Sequence, residues 1–155
     1  MTEKEDQSDL LTSVLEQPAA FEKSQRLARV GHAMNDVRQG CWTASDMLWD
    51  MLGLPPQKKP VVYESRREKK LLGPYYDEII RMRRACIESR TVQTYELHAH
   101  NARTGKPAIF RLEFHPELDD ERYVSSFFLI FSDVTHQRRL ENRLHNERAT
   151  LARAQ

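Results

Sequence analysis

The stretch from Thr91 to Thr135, TVQTYELHAHNARTGKPAIFRLEFHPELDDERYVSSFFLIFSDVT, indicates the fold most directly. It contains three candidate strands separated by two segments rich in turn-forming residues. The strands are predicted at Thr91–Asn101, Ala108–His115 and Arg122–Ser132, and the turns at Arg103–Lys106 and Pro116–Glu121. Consecutive strands joined by short turns pair in antiparallel fashion, so the stretch predicts a three-stranded meander.

One face of this meander is expected to be buried. In the second strand Phe110, Leu112 and Phe114 point to one side, whereas Arg111 and Glu113 point to the other. The third strand contains the run VSSFFLIFS, whose aromatic and branched residues suit a central or nearly central position in a sheet.

Upstream of the meander, a helical pattern begins at Ser8, a plausible N-cap, and continues to about Val30 with a kink at Pro18. Gly31 is expected to end this helix. A short hairpin is then predicted from Met34–Arg38 and Cys41–Thr43, turning through Gln39-Gly40.

Two further helices are predicted between the hairpin and the meander. The first begins at Ser45 and closes at Gly53. The second begins at Pro74 and runs to about Glu88. The connector between them, residues 56–73, is polar and basic, and it is interpreted either as a solvated face or as a site for an anionic partner.

The chain ends in a helix that Asp133 or Thr135 can cap. Its apolar residues, Leu140, Leu144 and Leu151, are spaced by four and seven. This stripe is too narrow for a helix packed into a globule but is wide enough for a coiled-coil seam.

Composition restricts the class of protein. The chain has 155 residues, 24 Lys+Arg and 23 Asp+Glu, so it lacks the basic excess typical of a nucleic-acid binder. Its two cysteines, Cys41 and Cys86, match neither a disulfide framework nor a metal spacing. No stretch is long and apolar enough to cross a bilayer. We therefore expect a cytoplasmic protein without a nucleic-acid or membrane partner.

The order of these elements resembles the PAS fold of bacterial sensors. Three stretches carry the resemblance: Ser24–Gly31 with Asn35-Asp36 and Gly40 after it, Trp42–Asp46 continuing to Leu52-Gly53-Leu54-Pro55, and Asp133-Val134-Thr135 at the exit. The last is similar to the Asp-Ile/Val-Thr signature that ends the final PAS strand and opens the output helix. Residues 55–74 depart from the pattern, because Leu71–Tyr76 replaces a His-Pro-Asp-Asp stretch found in many relatives.

The resemblance implies an α+β fold with an antiparallel five-stranded sheet, short helices on one face and a helix at each end. It divides the chain into an N-terminal helical extension at 1–23, a PAS domain at 24–135 and a C-terminal helix at 136–155. Residues 146–155 look like the linker that precedes the phosphoacceptor helix of histidine kinases. Either the front module of such a kinase or a stand-alone PAS protein fits this ending.

The cofactors known in the family can be checked against the sequence. Light-oxygen-voltage domains resemble this fold and use a cysteine within an Asn-Cys-Arg-Phe motif, whereas Cys86 lies in Arg-Ala-Cys-Ile-Glu. Haem-binding relatives carry a histidine on the long helix, and Tyr75–Glu88 contains none. We therefore expect neither flavin nor haem, and an unidentified small ligand is the remaining option.

No motif of a catalytic site is present, so the chain is not expected to be an enzyme in its own right. His98 and His100 share one face of a strand, but no third ligand accompanies them, which favours surface histidines over a metal site. The residues assigned to a ligand pocket are Trp49, Ile79, Phe110, Leu112, Phe127 and Leu129. Asp133 and Thr135 are assigned to signal relay.

Two interpretations of function stay open. In one, the sheet holds a small ligand, and the domain senses it and passes the change through the exit helix to an effector such as a histidine kinase. In the other, aromatic side chains fill the core, and the module is an adaptor that binds partner proteins without a ligand. Both include a homodimer formed through the terminal helices, whose narrow apolar stripes a second copy can cover.

Overall fold

A computed structural model of the chain describes residues 18–154. The helices of this segment are α1 (Pro18–Ala28), α2 (Asp46–Leu52), α3 (Ser65–Leu72), α4 (Tyr76–Ser89) and α5 (Thr135–Ala154), with a 3-10 turn at Gly73–Tyr75 before α4. Its strands are β1 (Val30–Asp36), β2 (Cys41–Ala44), β3 (Val61–Val62), β4 (Gln93–His100), β5 (Pro107–Leu118) and β6 (Val124–Asp133). The helix predicted to begin at Ser8 lies, up to Gln17, outside the described residues.

The strands form one antiparallel sheet in the order β3-β2-β1-β6-β5-β4. The last three strands of the chain are neighbours, which confirms the predicted meander, and β6 lies in the interior of the sheet, as its composition predicted. The described part of the chain has six strands rather than five. The additional strand is β3, whose two residues pair with Cys41 and Trp42 and are too few to show an alternating pattern.

The apolar face of the sheet forms the main core of the domain. Phe110, Leu112 and Phe114 of β5 are buried, and so are Phe127 and Phe131 of β6. Apolar residues of α2 and α4 pack against this face. The alternation seen in the sequence of β5 therefore predicted the buried side correctly.

Local signals fix the ends of α2 as predicted. The Ser45 hydroxyl accepts a hydrogen bond from the Leu48 backbone N–H, which caps the helix N-terminus. Gly53 ends the helix with φ of 72°, in the left-handed region that suits glycine.

Gly31 does not end a helix, contrary to the prediction. α1 ends at Ala28, the chain turns at Arg29 with φ of 53°, and Gly31 lies within β1. A Cβ atom on Gly31 would lie 2.8 Å from the backbone of Leu48 in α2. Glycine is required here because a helix packs directly on the strand.

The turn predicted at Pro116–Glu121 begins later than expected. β5 continues to Leu118, and Pro116 pairs with Phe127 just before a register shift at Glu117/Leu118. Proline is tolerated in a strand near such an irregularity because the ladder is already interrupted there. The basic connector also contains more structure than predicted, since it includes β3 and α3.

Within residues 18–154, none of the helices combines the length and hydropathy needed to cross a bilayer.

Candidate functional site

A small cavity lies between the apolar face of the sheet and the helices that cover it. Its volume is about 30 Å³, on the scale of one water molecule. Most of its wall is apolar, and its polar or charged lining comes from Asn35, Trp42 and Arg83. An organic ligand therefore requires part of the wall to move.

The predicted pocket residues divide into two groups. Those lining the cavity are Ile79, Phe127 and Leu129, whereas Trp49, Phe110 and Leu112 are buried elsewhere in the core. Trp49 stacks on Trp42 with 5.3 Å between ring centroids, and Phe110 packs on Phe131 at 4.8 Å. A role for any of the six in ligand binding stays a prediction.

A buried ion pair stands beside the cavity. Glu68 of α3 is 1% exposed, and its two carboxylate oxygens accept hydrogen bonds from the two terminal nitrogens of Arg83 at 2.7 and 3.1 Å. The indole Nε1–H of Trp42 donates to the same carboxylate at 3.1 Å. A buried carboxylate needs such pairing because removal from water is costly. The two-point geometry also fixes the orientation of the guanidinium.

Tyr63 and Asn35 extend this polar cluster across the sheet. The Arg83 guanidinium lies 3.9 Å from the centre of the Tyr63 ring, a cation–π contact. The Tyr63 hydroxyl donates to Oδ1 of the buried Asn35 at 2.7 Å. Burial raises the pKa of Tyr63 well above its ordinary value, even though the positive charge of Arg83 opposes the rise. The phenol therefore stays protonated and remains a donor.

The sequence did not identify Asn35, Tyr63, Glu68 or Arg83 as site residues. One available signal was the spacing of Glu68 and Leu72, an acidic and an apolar residue four apart in a basic run. These are the two buried residues of α3, so the spacing marked its inward face. Nothing local identifies Arg83 as the partner, because the contact is made only in the folded protein.

The predicted relay residues meet at a junction between both terminal helices and the sheet. Oδ1 of Asp133 accepts hydrogen bonds from the backbone N–H and the hydroxyl of Thr135 at 3.0 and 2.6 Å. Its Oδ2 accepts from Nε of Arg29, just after α1, at 3.1 Å. The Thr135 hydroxyl oxygen also accepts from the backbone N–H of Ile109 in β5 at 2.9 Å. One carboxylate thus connects the end of β6 with the residues that follow α1 and begin α5.

The charge of Asp133 is favoured in this junction. Burial by itself would raise the pKa of Asp133, but the hydrogen bonds from Thr135 and the ion pair with Arg29 outweigh that effect. The net result is a pKa below the ordinary value. The carboxylate is therefore ionised at neutral pH, as its role of accepting three hydrogen bonds requires.

A second contact holds the first turn of α5 against the sheet. Nε of Arg138 lies 2.5 Å from Oε1 of Glu96 in β4, and Nη1 of Arg138 lies 2.9 Å from Oε2 of Glu141. The hydrogen bond from Arg138 lowers the pKa of Glu96. None of the residues of α5 is itself buried, so the rest of the helix projects away from the core.

The other candidate side chains form no reactive site. His98 and His100 are exposed on β4, and His98 lies 3.3 Å from Glu96. Between Pro18 and Ala154, no group of three His, Cys, Asp or Glu residues is placed to hold a metal ion. Cys86 is fully buried, and burial raises the pKa of its thiol to about 11. A thiol with such a pKa is a poor nucleophile at neutral pH, since the thiolate is the reactive form.

Comparisons with known proteins identify the fold. No family model and no curated protein matches the chain. Among solved structures, the sensory box histidine kinase/response regulator of Burkholderia thailandensis E264 superposes with a TM-score of 0.59 and 18% identity, covering 86% of this chain and 98% of that one. The N-terminal domain of a diguanylate cyclase with PAS/PAC sensor from Marinobacter aquaeolei gives 0.53 and 14%, covering 70% and 98%.

An RNA-binding light-oxygen-voltage receptor also superposes, with a TM-score of 0.54, 15% identity and coverage of 78% of this chain and 35% of the receptor. These likenesses show the fold, and the chain has the PAS fold that its sequence led us to expect.

Proposed function

We propose that the chain is a PAS sensory or signal-relay domain, not itself an enzyme, that passes a change through α5 to an effector such as a histidine kinase or a partner protein. The observation that carries the proposal is the Asp133 junction. It is the point at which β6 ends, α5 begins and the residue after α1 is bound. The solved structures with this fold include sensory parts of a histidine kinase and a diguanylate cyclase, which supports an output of this kind.

The mechanism follows from how few contacts fix the exit helix. A ligand or partner shifts a domain between two states only if it binds them with different affinity. A small movement of β6 displaces Asp133 and so changes the first hydrogen bonds of α5. Because α5 has 20 residues, about 30 Å of helix amplifies a change of angle at its start.

We further propose that α5 pairs with α5 of a second copy. Leu140, Leu144 and Leu151 are 43%, 54% and 64% exposed, and their spacing places them along one seam of the helix. Leu27 of α1, 78% exposed, adds an apolar residue near the other end of the chain. A homodimer through the terminal helices would cover these side chains and let two domains act on a paired output helix.

Light scattering at micromolar concentration tests the dimer, and a monomer over the whole accessible range would contradict it. A paired substitution, Leu140→Lys with Leu144→Lys, should shift the protein to monomer by placing charges in the seam. The matched control, Asn142→Lys with Asn146→Lys, adds the same charge away from the seam and should leave the dimer intact. Deleting residues 1–23 should weaken the dimer if the N-terminal extension contributes to the contact.

An adaptor without a ligand is the second candidate, and the cavity of about 30 Å³ supports it. Native mass spectrometry of the purified protein separates the two functions. A stoichiometric small molecule that dissociates on unfolding identifies a sensor, whereas the bare mass with the dimer intact favours the adaptor. We expect neither flavin nor haem in either case.

A further inference from the structure

Arg83 lines two spaces, the internal cavity and a groove on the surface. The groove has a volume of about 320 Å³, at the lower end of the range for small-molecule sites. Its apolar lining comes from Val37, Ile80 and Ile87, and its polar or charged lining from Tyr63, Arg83, Arg84 and Glu88. Arg83, to which Glu68 is paired, therefore stands between the groove and the core.

The donors around the Glu68 carboxylate do not belong to its own helix. Trp42 is on β2 inside the sheet, and Arg83 is on α4, which packs against β5. Two guanidinium N–H groups and one indole N–H thus converge on a single carboxylate. β2 and α4, which do not depend on α3 for their own positions, therefore hold a set of donors arranged for a carboxylate.

The helix that supplies the carboxylate is weakly held. α3 has eight residues, of which only Glu68 and Leu72 are buried, and no side chain caps its N-terminus. Arg67 pairs with Glu64 at 3.2 Å, but Arg66 and Lys70, four residues apart on the same exposed side, repel each other. Helices this short are marginal on their own, so α3 depends on its two buried side chains, Glu68 and Leu72, to stay in place.

We propose that Trp42 and Arg83 bind a small monocarboxylate with a short apolar chain, and that Glu68 occupies this site as an internal carboxylate. The ligand exchanges for Glu68, so the buried guanidinium stays paired throughout, and its chain lies against the apolar lining of the groove. The released Glu68 moves with α3 towards water. This inference rests on the proposed sensory role and names the class of ligand that the domain detects.

Titration with a homologous series, acetate to hexanoate at constant ionic strength, tests the site in the intact protein. In two-dimensional ¹⁵N–¹H NMR spectra, the signals of the Trp42 indole and the Arg83 side chain should shift until the site is saturated. The affinity should rise with the length of the carboxylate's alkyl chain. Amide exchange across Ser65–Leu72 should become faster as the carboxylate binds. Primary alcohols of equal length are the control and should cause neither change.

Substitutions isolate the exchange step. Glu68→Gln removes the competing charge and should tighten carboxylate binding by about tenfold or more, since hydrogen bonds to charged groups are strong. The double variant Glu68→Gln with Arg83→Gln removes both buried charges together and should not bind. Arg81→Gln, a change of an exposed arginine on the helix that carries Arg83 and outside the groove, should match the wild type.

Several results would overturn the inference: no saturable shift in the wild type, equal binding of alcohols, or equal binding by the double variant. If Glu68→Gln fails to fold, the exchange across α3 in the wild-type titration still decides the question. The relay through Asp133 is measured on α5 without any ligand. Failure of the carboxylate site therefore leaves the proposed function standing, and failure of the relay leaves the binding result interpretable.

Discussion

Replacing Asp133 with alanine is the most direct test of the junction. The substitution removes the acceptor of the Thr135 backbone N–H, the Thr135 hydroxyl and Nε of Arg29. A cap of this type contributes about 1 kcal/mol. The Arg29 side chain is 59% exposed, so its ion pair adds roughly 0.5 kcal/mol or less after screening by solvent. The total is roughly 1–1.5 kcal/mol of unfolding free energy.

A loss of that size is small against the free energy of unfolding of a domain, but large against the free-energy difference between two signalling states. The melting temperature should fall by roughly 2–6 °C, with the circular dichroism spectrum of the sheet unchanged. Amide exchange in the first turns of α5 should become roughly 5 to 12 times faster, because 1.4 kcal/mol corresponds to a factor of ten. Hydrogen exchange read by mass spectrometry or NMR measures this, and a fused effector should lose its coupling to the domain.

The chain offers a matched control in Asp119. Its carboxylate accepts the backbone N–H groups of Glu121 and Tyr123 and pairs with Arg38, so Asp119→Ala removes a similar set of bonds at the other end of β6. That variant should loosen only the β5–β6 turn. Unchanged exchange in α5 of Asp133→Ala, or unfolding of its whole domain, would refute the argument that this residue couples the sheet to the helix.

Three further predictions concern cofactors, thiols and pH. The purified protein should be colourless, and a visible absorbance that stays with it through dialysis would contradict the expectation of no flavin or haem. In the folded protein at neutral pH, a thiol reagent should modify the half-buried Cys41, whereas Cys86 should react only after unfolding, since burial raises its pKa to about 11; rapid labelling of both would contradict this. Because the pKa of Asp133 is lower in the folded state than its ordinary 3.8, the stability that it contributes is present above that pH and is lost as the pH falls through the folded value. Below about pH 4, the protection of the α5 amides, taken relative to their intrinsic exchange rate at each pH, should therefore fall more in the wild type than in Asp133→Ala, where the Glu96–Arg138 pair is left to titrate. Equal losses of protection in the two proteins would argue against this assignment.

The sequence predicted those features whose cause is local. The alternation in β5 depends on side chains two residues apart, so it showed which face is buried before any partner strand was known. The start and end of α2 follow from Ser45 and Gly53, which act within one turn of the helix. Asp133 was also recognisable, because a capping residue lies next to the helix that it caps.

Features that depend on distant parts of the chain were decided only by the tertiary structure. The sequence predicted Gly31 as a helix terminator, but glycine is needed there because α2 packs on β1 and leaves no room for a Cβ atom. Glu68 and Arg83 are 15 residues apart in the sequence and lie on different helices, so no spacing rule predicts that they pair. Only three of the six predicted pocket residues line the cavity, because its position depends on how α3 and α4 pack on the sheet. Local hydrogen bonding and periodicity act over a few residues and leave a pattern in the sequence, whereas the packing of separate elements depends on the shapes of surfaces that exist only after folding.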